Sequence, residues 1–595
     1  MIHKHGAKAA TQINHAGPAA FISTPDLQTL AASVVVRPPD LTRPNFAPPK
    51  EMTIAEIEEM AIAFAKAAGR AQKAGFDGIE IHAAHRYLVN SFLSPFYNKR
   101  QDKYGGDLNN RARFLMEIIS AVREVVGPDY PVWCRINGME TDIEGGITPQ
   151  LAKELAQILE KAGQIDAIDV SQWPTTAIAS PGFAITGAVE VKKAISLPVM
   201  TVGMIDPIMG ERLLREKKAD FIAMGRRLIA DPELPNKAAS GRPEDITPCV
   251  CCNNCQALQE CSVNASFLKE YEYEIKPAKK PKKVLIVGSG PGGMEAARVA
   301  ALRGHQVTLY EKERRLGGQL LLASIMREEV EALTEYLITQ LSKLGVEVEL
   351  GKEINPALIR EIKPDAIVLA TGSTSSLPEI PGIDRDSILS STDISDMMQG
   401  RLKPNEANRG VSWRKRLWYL GIIFMKLFGT SAMRRVLRIF APFGKKIVVI
   451  GMGLHGVEIA HFMAERGKKV TIVDPRTEIK ELIHKVVTGK FDGVLPMPAL
   501  RKHFLLELQE MGTPILLGVK YEEIADKGLV ITNKQGEHQT IEADTIVWAS
   551  DYMPNTELSQ KLAGTTTELH LAGDCVEPVG ILEAIRDGAR VGRII

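Results

Sequence analysis

The most constraining stretch of this chain is Cys249-Val250-Cys251-Cys252-Asn253-Asn254-Cys255, followed closely by Cys261-Ser262-Val263-Asn264. Five of the seven cysteines fall between positions 249 and 261. Taken as Cys249, Cys252, Cys255 and Cys261, they put four thiolates on one tight loop, enough to hold a 4Fe–4S cube. Four cysteines at short spacing also suit tetrahedral zinc. Buried structural thiols are the poorer account, because Asn, Gln and Glu surround them. The flanks discriminate: strand–helix alternation precedes the loop, and two dinucleotide-binding fingerprints follow it. A cluster at such a joint relays electrons, which zinc does not.

A chain of 595 residues holds about three or four domains at the usual size of a folding unit. With 45% hydrophobic and 24% charged residues and a net charge of +1, it reads as a water-soluble globular protein with no pull toward nucleic acid. Clustered thiols without a secretory leader point to a reducing compartment, the cytoplasm. The opening Met1-Ile2-His3-Lys4-His5-Gly6-Ala7-Lys8 reads like the end of a helix running into a strand.

From residue 1 to about 245, short apolar runs alternate with amphipathic stretches. The runs are 9–14, 78–82, 131–137, 167–171, 198–202 and 220–224; the stretches 53–73, 111–126 and 148–162 carry apolar residues at helical spacing. This alternation predicts a parallel sheet, and so many units in one domain favour a barrel over an open sheet. Chemistry in such barrels sits at strand C-termini, here Gln12, His15, His82, His85, Tyr87, Arg135, Gly203, Gly225 and Arg226.

Gln12-Ile13-Asn14-His15-Ala16-Gly17, then Ile81-His82-Ala83-Ala84-His85-Arg86-Tyr87-Leu88 with Phe92-Leu93-Ser94-Pro95, Asn98, Arg100 and Tyr104-Gly105-Gly106, and finally Gly225-Arg226 and Asp231-Pro232 occur in order. Together with the cysteines they resemble the Old Yellow Enzyme family, in its long iron–sulfur branch. That branch holds 2,4-dienoyl-CoA reductase, enoate reductases and trimethylamine dehydrogenase. The resemblance covers nearly the whole chain. It implies a (β/α)8-type barrel lacking its first strands, about two of them expected before Met1, followed by two Rossmann-like domains that bind FAD and NAD(P)H.

By the same resemblance, Gln12 bonds the pyrimidine edge of FMN, Arg135 sits by its N1–C2=O region, and Gly203, Gly225 and Arg226 take its phosphate. His82 and His85 hold the substrate carbonyl oxygen, and Tyr87 supplies a proton. The residue types suit the chemistry. Negative charge that builds on a carbonyl oxygen needs two donors, and a phenol near the α-carbon completes the addition. Taken alone, a His-x-x-His pair is as readily structural or a metal pair, a Tyr after a strand is packing, and Arg135 is a rim ion pair. Arg86 stands where the family has Gly, so it crowds the pocket or meets an acidic substrate.

The domains read as a barrel over 1–245, an iron–sulfur loop and linker over 246–282, and a first FAD-binding part over 283–384. An NAD(P)H-binding domain over 385–557 and a second FAD-binding part over 558–595 follow. Strand 284–287 runs into Gly288-Ser289-Gly290-Pro291-Gly292-Gly293, and Glu311 ends the next strand. A second copy has Gly451-Met452-Gly453-Leu454-His455-Gly456 and Asp474. In each, glycines let a pyrophosphate approach a helix N-terminus and the acid takes ribose hydroxyls. Asp474 favours NADH over NADPH, while Arg476 keeps the phosphorylated cofactor open. Asp574, in Ala572-Gly573-Asp574, resembles a later FAD motif. Between the fingerprints, residues 401–440 hold ten Lys or Arg against one acid, Glu406. Such a basic, aromatic-rich insertion either folds back on the nucleotide domain or lies on an anionic membrane surface; its apolar run is too short to span a bilayer.

The expected path runs from NAD(P)H to FAD, through the 4Fe–4S cluster, to FMN and an unsaturated acid, thioester or ketone. Two alternatives stay open: an amine dehydrogenase of the trimethylamine dehydrogenase type, and a non-catalytic electron-transfer protein.

Overall fold

The computed structural model describes residues 1–20, 28–35, 48–141, 143–172, 181–375, 379–383, 385, 388–390, 431–432, 434–435, 444–477, 499–549, 552–564 and 568–595. They form two compact units, Met1–Gly225 and Arg226–Ile595.

The first unit is built on six parallel strands: β1 (Ala10–Ile13), β2 (Gly78–Ala83), β3 (Val132–Asn137), β4 (Ala167–Ser171), β5 (Val199–Thr201) and β6 (Phe221–Ile222). They lie side by side in sequence order, as the strand–helix alternation requires. The helices between them are α1 (Ile54–Lys73), α2 (Leu88–Leu93), α3 (Leu108–Val126), α4 (Pro149–Ala162), α5 (Ile185–Lys192) and α6 (Pro207–Arg215). Their starts are written into the sequence by side-chain caps. The Thr53 hydroxyl accepts from Glu56 N–H while the Glu56 carboxylate accepts from Thr53 N–H, a reciprocal arrangement that satisfies two orphan donors. Asp107, Thr148 and Asp206 cap α3, α4 and α6 in the same sense. The Asp107 cap is why α3 begins three residues ahead of its amphipathic pattern.

Strand periodicity of two divides the sheet into unlike faces. Ile79, Ile81, Val132, Cys134, Ile136, Ile168 and Val170 are fully buried in one core with Phe64 of α1 and Phe114, Leu115 and Ile118 of α3. Gln12, Glu80, His82, Arg135 and Asp169 alternate with them, and the register pairs Gln12 with Glu80, His82 with Arg135, and Arg135 with Asp169. In-register residues of a parallel sheet share a face, so all the polar groups fall together.

In the second unit β7 (Lys283–Val287), β8 (Gln306–Glu311), β9 (Glu347–Leu350), β10 (Ala366–Leu369) and a late strand make one parallel sheet. A further parallel sheet contains β11 (Ile388–Ser390), β12 (Lys446–Ile450), β13 (Lys469–Asp474), β14 (Ile515–Leu517) and β15 (Thr545–Trp548). The late strand, β16 (Glu568–Leu571), crosses back to pair with β10. Helix α7 (Pro291–Leu302) follows β7, and the C-terminal helix Ile581–Ile594 lies against it. Their approach is close: a Cβ on Gly588 would stand 2.2 Å from Gly292 O. Of the basic insertion, only Ser431, Ala432, Arg434 and Arg435 lie among the described residues. Among the described residues no helix is long and apolar enough to cross a membrane.

Because Ile81 is fully buried in the sheet–helix core, Ile81→Val should cost about 0.5–1.5 kcal/mol and Ile81→Ala about 2–5 kcal/mol. The unfolding midpoint in denaturant should fall in that order.

Candidate active site and cofactor cradles

The segment after β2 carries the family signature, and its backbone is unusual. His85 and Arg86 have φ of 60° and 63°, the left-handed region that costs a side-chain-bearing residue energy and favours Gly. Arg86 N–H is held by Asn90 Oδ1 at 2.7 Å and His85 N–H by Asn137 Oδ1 at 3.0 Å. The turn explains why a Gly is suited to position 86; here Arg86 occupies it, buried.

That turn aims two imidazoles and a phenol at one another. Ala84 N–H donates to His82 Nδ1 at 3.2 Å, which leaves the His82 proton on Nε2. His82 Nε2 lies 3.1 Å from His85 Nδ1, and His85 Nε2 lies 2.8 Å from Ser171 Oγ. One backbone donor therefore sets both tautomers, and each ring points its single proton down the chain. A second proton on either ring would face a neighbour's N–H. Burial lowers both pKa values to about 3, with the Arg135 charge adding to it and His82 further lowering His85. Neutral donors stand here across the physiological range. The half-buried Tyr87 ring lies edge-on to His82, 4.9 Å between centroids.

One register step away, Glu80 accepts from the Gln12 amide and, at 2.9 Å, from Trp133 Nε1–H. Arg135 donates twice to Asp169 Oδ2, at 3.0 and 2.5 Å, with its Nε 3.5 Å from Glu80. Burial pushes the Glu80 carboxyl up to about 7, against the pull of Arg135. Glu80, Asp169, Ser171 and Asn137 were not singled out from the sequence. Their signal was there: each lies two residues along its strand from a site residue or from another of the four. His15, also in this segment, accepts from Gly17 N–H at 3.1 Å, and burial lowers its pKa.

The rest of the signature is structural. Asn98 Nδ2 donates to Phe92 O at 2.7 Å and Tyr104 O at 2.8 Å, and Arg100 donates to Ala32 O at 3.0 Å and Met52 O at 2.7 Å. A Cβ on Gly105 would lie 2.0 Å from Arg100 O. These residues staple the loop after α2.

Gly203 has φ 126°, and a Cβ on Gly225 would meet open space. Arg226, expected at the FMN phosphate, donates from its guanidinium to Asn253 Oδ1 at 3.2 Å, in the cysteine loop. It also stands by Cys249 and Cys255.

The two Gly-rich turns divide their labour alike. At Gly288 and Gly293 a Cβ would lie 2.2 Å from Ala370 O and 2.0 Å from Gly288 O, whereas at Gly290 it meets nothing. In the second turn a Cβ on Gly456 would lie 2.0 Å from Gly451 O and one on Gly453 would meet nothing, while Gly451 has φ 104°. Each turn thus packs at its outer glycines and leaves its middle one bare before a helix N-terminus, the cradle a pyrophosphate needs. Glu311 accepts from Ser289 N–H and Oγ at 2.9 and 2.6 Å. Asp474 accepts from Met452 N–H at 2.6 Å and from Arg476 Nε and Nη2 at 2.7 and 2.6 Å. Burial raises its pKa and Arg476 more than offsets it, so the carboxylate stays ionised. Burial pushes Asp574 up to about 6, with Ser373 pulling the other way.

All seven cysteines are free. Cys251 is fully buried with φ 54°, and its thiol donates to Cys249 O at 3.7 Å; the nearness of Cys251 holds the Cys249 thiol down at about 6, helped by Arg226 and Arg227. Burial pushes Cys255 and Cys261 up to about 11 and about 12, and both feel Cys249 and Cys252. Cys255 and Cys261 each stand near Cys249 and Cys252, with Arg226 and Arg227 beside Cys249; four such thiols beside two guanidiniums fit an anionic 4Fe–4S cube.

These contacts separate packing from binding. Gly290→Ala should leave the unfolding midpoint nearly unchanged and lower the FAD retained on purification; Gly293→Ala should lower both.

Residues 1–245 match the NADH:flavin oxidoreductase / NADH oxidase family and residues 282–570 the pyridine nucleotide-disulphide oxidoreductase family. An NADH oxidase of Thermoanaerobacter brockii is 36% identical over 99% of this chain and 85% of its own length. A cinnamate reductase of Clostridium sporogenes is 31% identical over 100% of this chain and 85% of its own. Among solved structures, 2-naphthoyl-CoA reductase in complex with 2-naphthoyl-CoA superposes with a TM-score of 0.81 at 32% identity, covering 100% of this chain and 86% of that one. Fold, cradles and relatives agree: the chain belongs to the NADH:flavin oxidoreductase / NADH oxidase family, in the iron–sulfur branch of the Old Yellow Enzymes, and is an NAD(P)H-dependent flavin oxidoreductase that uses FMN, FAD and a 4Fe–4S cluster.

Proposed function

We propose that this enzyme reduces the C=C bond of α,β-unsaturated carboxylates or thioesters at the polar face of the barrel sheet. The observation that carries the reading is the directed chain Ala84–His82–His85–Ser171 beside Tyr87. When bound, the groups would supply hydride acceptance from NAD(P)H (FAD), single-electron relay (the cluster) and hydride donation to the alkene (FMN). Gln12 and Arg135 hold FMN at its pyrimidine edge, with Gly203, Gly225 and Arg226 toward its phosphate. Gly288, Gly290, Gly293, Glu311 and Asp574 hold FAD. Gly451, Gly453, Gly456 and Asp474 hold the nicotinamide dinucleotide, and Cys249, Cys252, Cys255 and Cys261 the cluster.

The protein's own part is electrostatic and protonic. Two neutral imidazoles donate to the substrate carbonyl oxygen, each giving up its present acceptor, and so stabilise developing negative charge. With pKa values near 3 they donate hydrogen bonds without being protonated, which leaves proton delivery to the Tyr87 phenol. Cinnamate and 2-naphthoyl-CoA in the names of relatives support a carboxylate or thioester beside the alkene. Of the basic insertion, Arg434 is buried, with its guanidinium on Ser324 O at 2.9 Å and on Glu331, which supports contact with the nucleotide-binding part of the chain over contact with a membrane surface. Free, clustered thiols support the cytoplasm as the working compartment.

Tyr87→Phe should leave flavin reduction by NADH at the wild-type rate and slow alkene reduction by about 10²–10⁴-fold, read by anaerobic stopped flow. Unchanged turnover, or flavin reduction by amines in place of NAD(P)H, would sink the reading. Cys252→Ser should lose iron and sulfide on anaerobic purification, while Cys251→Ser should keep both.

A further inference from the structure

We propose that Glu80 and Asp169 share one proton beside Arg135, and that this proton sets the charge next to the flavin and ties electron uptake there to pH. The inference rests on reading Gln12 and Arg135 as FMN contacts, and it gives that site a positioning residue, Glu80.

Hydrogen-bond counting requires the proton. Asp169 Oδ2 takes both guanidinium bonds from Arg135, whereas Asp169 Oδ1 is buried with no donor found for it among the described residues. Glu80 is within hydrogen-bonding reach of Asp169, and its own two oxygens already accept from Gln12 and Trp133. If both acids were ionised, two carboxylates would touch with one guanidinium between them, leaving one excess negative charge in a buried place. A proton on Glu80 gives Asp169 Oδ1 its donor and makes the group neutral. The groups that face Glu80 are Gln12 from β1, Trp133 and Arg135 from β3, and Asp169 from β4; the Cys134 thiol lies on the opposite face of β3 and is held un-ionised by burial.

The sign follows. Burial raises the Glu80 carboxyl to about 7, so below that pH the group is neutral and above it carries one negative charge. Negative charge arriving beside Arg135 raises the Glu80 pKa further. Above about pH 7, two electrons entering this site therefore bring one proton to Glu80, supplied by solvent. Glu80 also fixes Gln12: with the amide N–H on the carboxylate, the amide oxygen is left for the flavin edge.

The test is spectroelectrochemical titration of the FMN couple in the anaerobic holoenzyme from pH 6 to 9, with flavins released and counted from the same sample. Wild type should show a break near pH 7, above which the potential falls with one additional proton per two electrons. Glu80→Gln, an isostere of the protonated acid that still donates to Asp169, should lose the break and keep its FMN. The same slope in both proteins, with FMN bound, would overturn the shared proton; protein without FMN would overturn the underlying reading instead. If the variant does not fold, redox-difference infrared spectra of wild type decide. A deuterium-sensitive carboxylic acid C=O band should appear on reduction above pH 7, and its absence would overturn the proposal.

Discussion

A half-buried guanidinium held between two carboxylates organises the first unit. Arg135 leaves a strand whose alternate residues, Val132, Cys134 and Ile136, are sealed in the helix-backed core, so its side chain must emerge on the opposite face. A charge there needs partners. The parallel register supplies them, placing Asp169 opposite it and Glu80 one step along. The same alternation brings His82 and Ser171 to that face. The site is thus the polar half of a sheet whose apolar half makes the fold, and neither can shift by one residue without inverting the other.

The long signature after β2 serves two unlike purposes. Its first part, His82 to Tyr87, holds consecutive left-handed residues and directs protons through two imidazoles. Its second part, Asn98 to Gly105, holds backbone carbonyls and brings the chain past itself at a distance that only a glycine allows. Only the first part carries the proposed site; the second fixes the loop after α2.

In the second unit one device recurs. The last glycine closes each turn onto the carbonyl of its first, a middle glycine stays bare, and a buried acid at the end of the following strand, Glu311 or Asp474, ties the turn to the sheet. The cysteine loop works by different means. Left-handed Cys251 and Asn253 fold it sharply, the buried Cys251 thiol donates to Cys249 O, and Arg226 and Arg227 supply positive charge beside Cys249. Arg226, which the family pattern assigns to a phosphate, is hydrogen-bonded within this loop.

The order of elements, the parallel sheets, the helix starts at Thr53 and Thr148, the two dinucleotide turns and the cysteine quartet are all local patterns, legible because periodicity, capping and glycine content act over a few residues. Tyr87, His82 and His85 were likewise legible as a motif. What they do to one another was not, since the tautomers depend on Ala84 N–H and Ser171, and Ser171 is 86 residues from His85. Glu80 and Asp169 were hidden for the same reason. An acid in a strand is unremarkable by itself, and becomes a buried pair around Arg135 only when strands remote in sequence lie in register. Residue types and spacing decided which groups this protein has; the tertiary structure decided their partners and their charge, because burial and pairing are properties of a place in the fold and not of a stretch of chain.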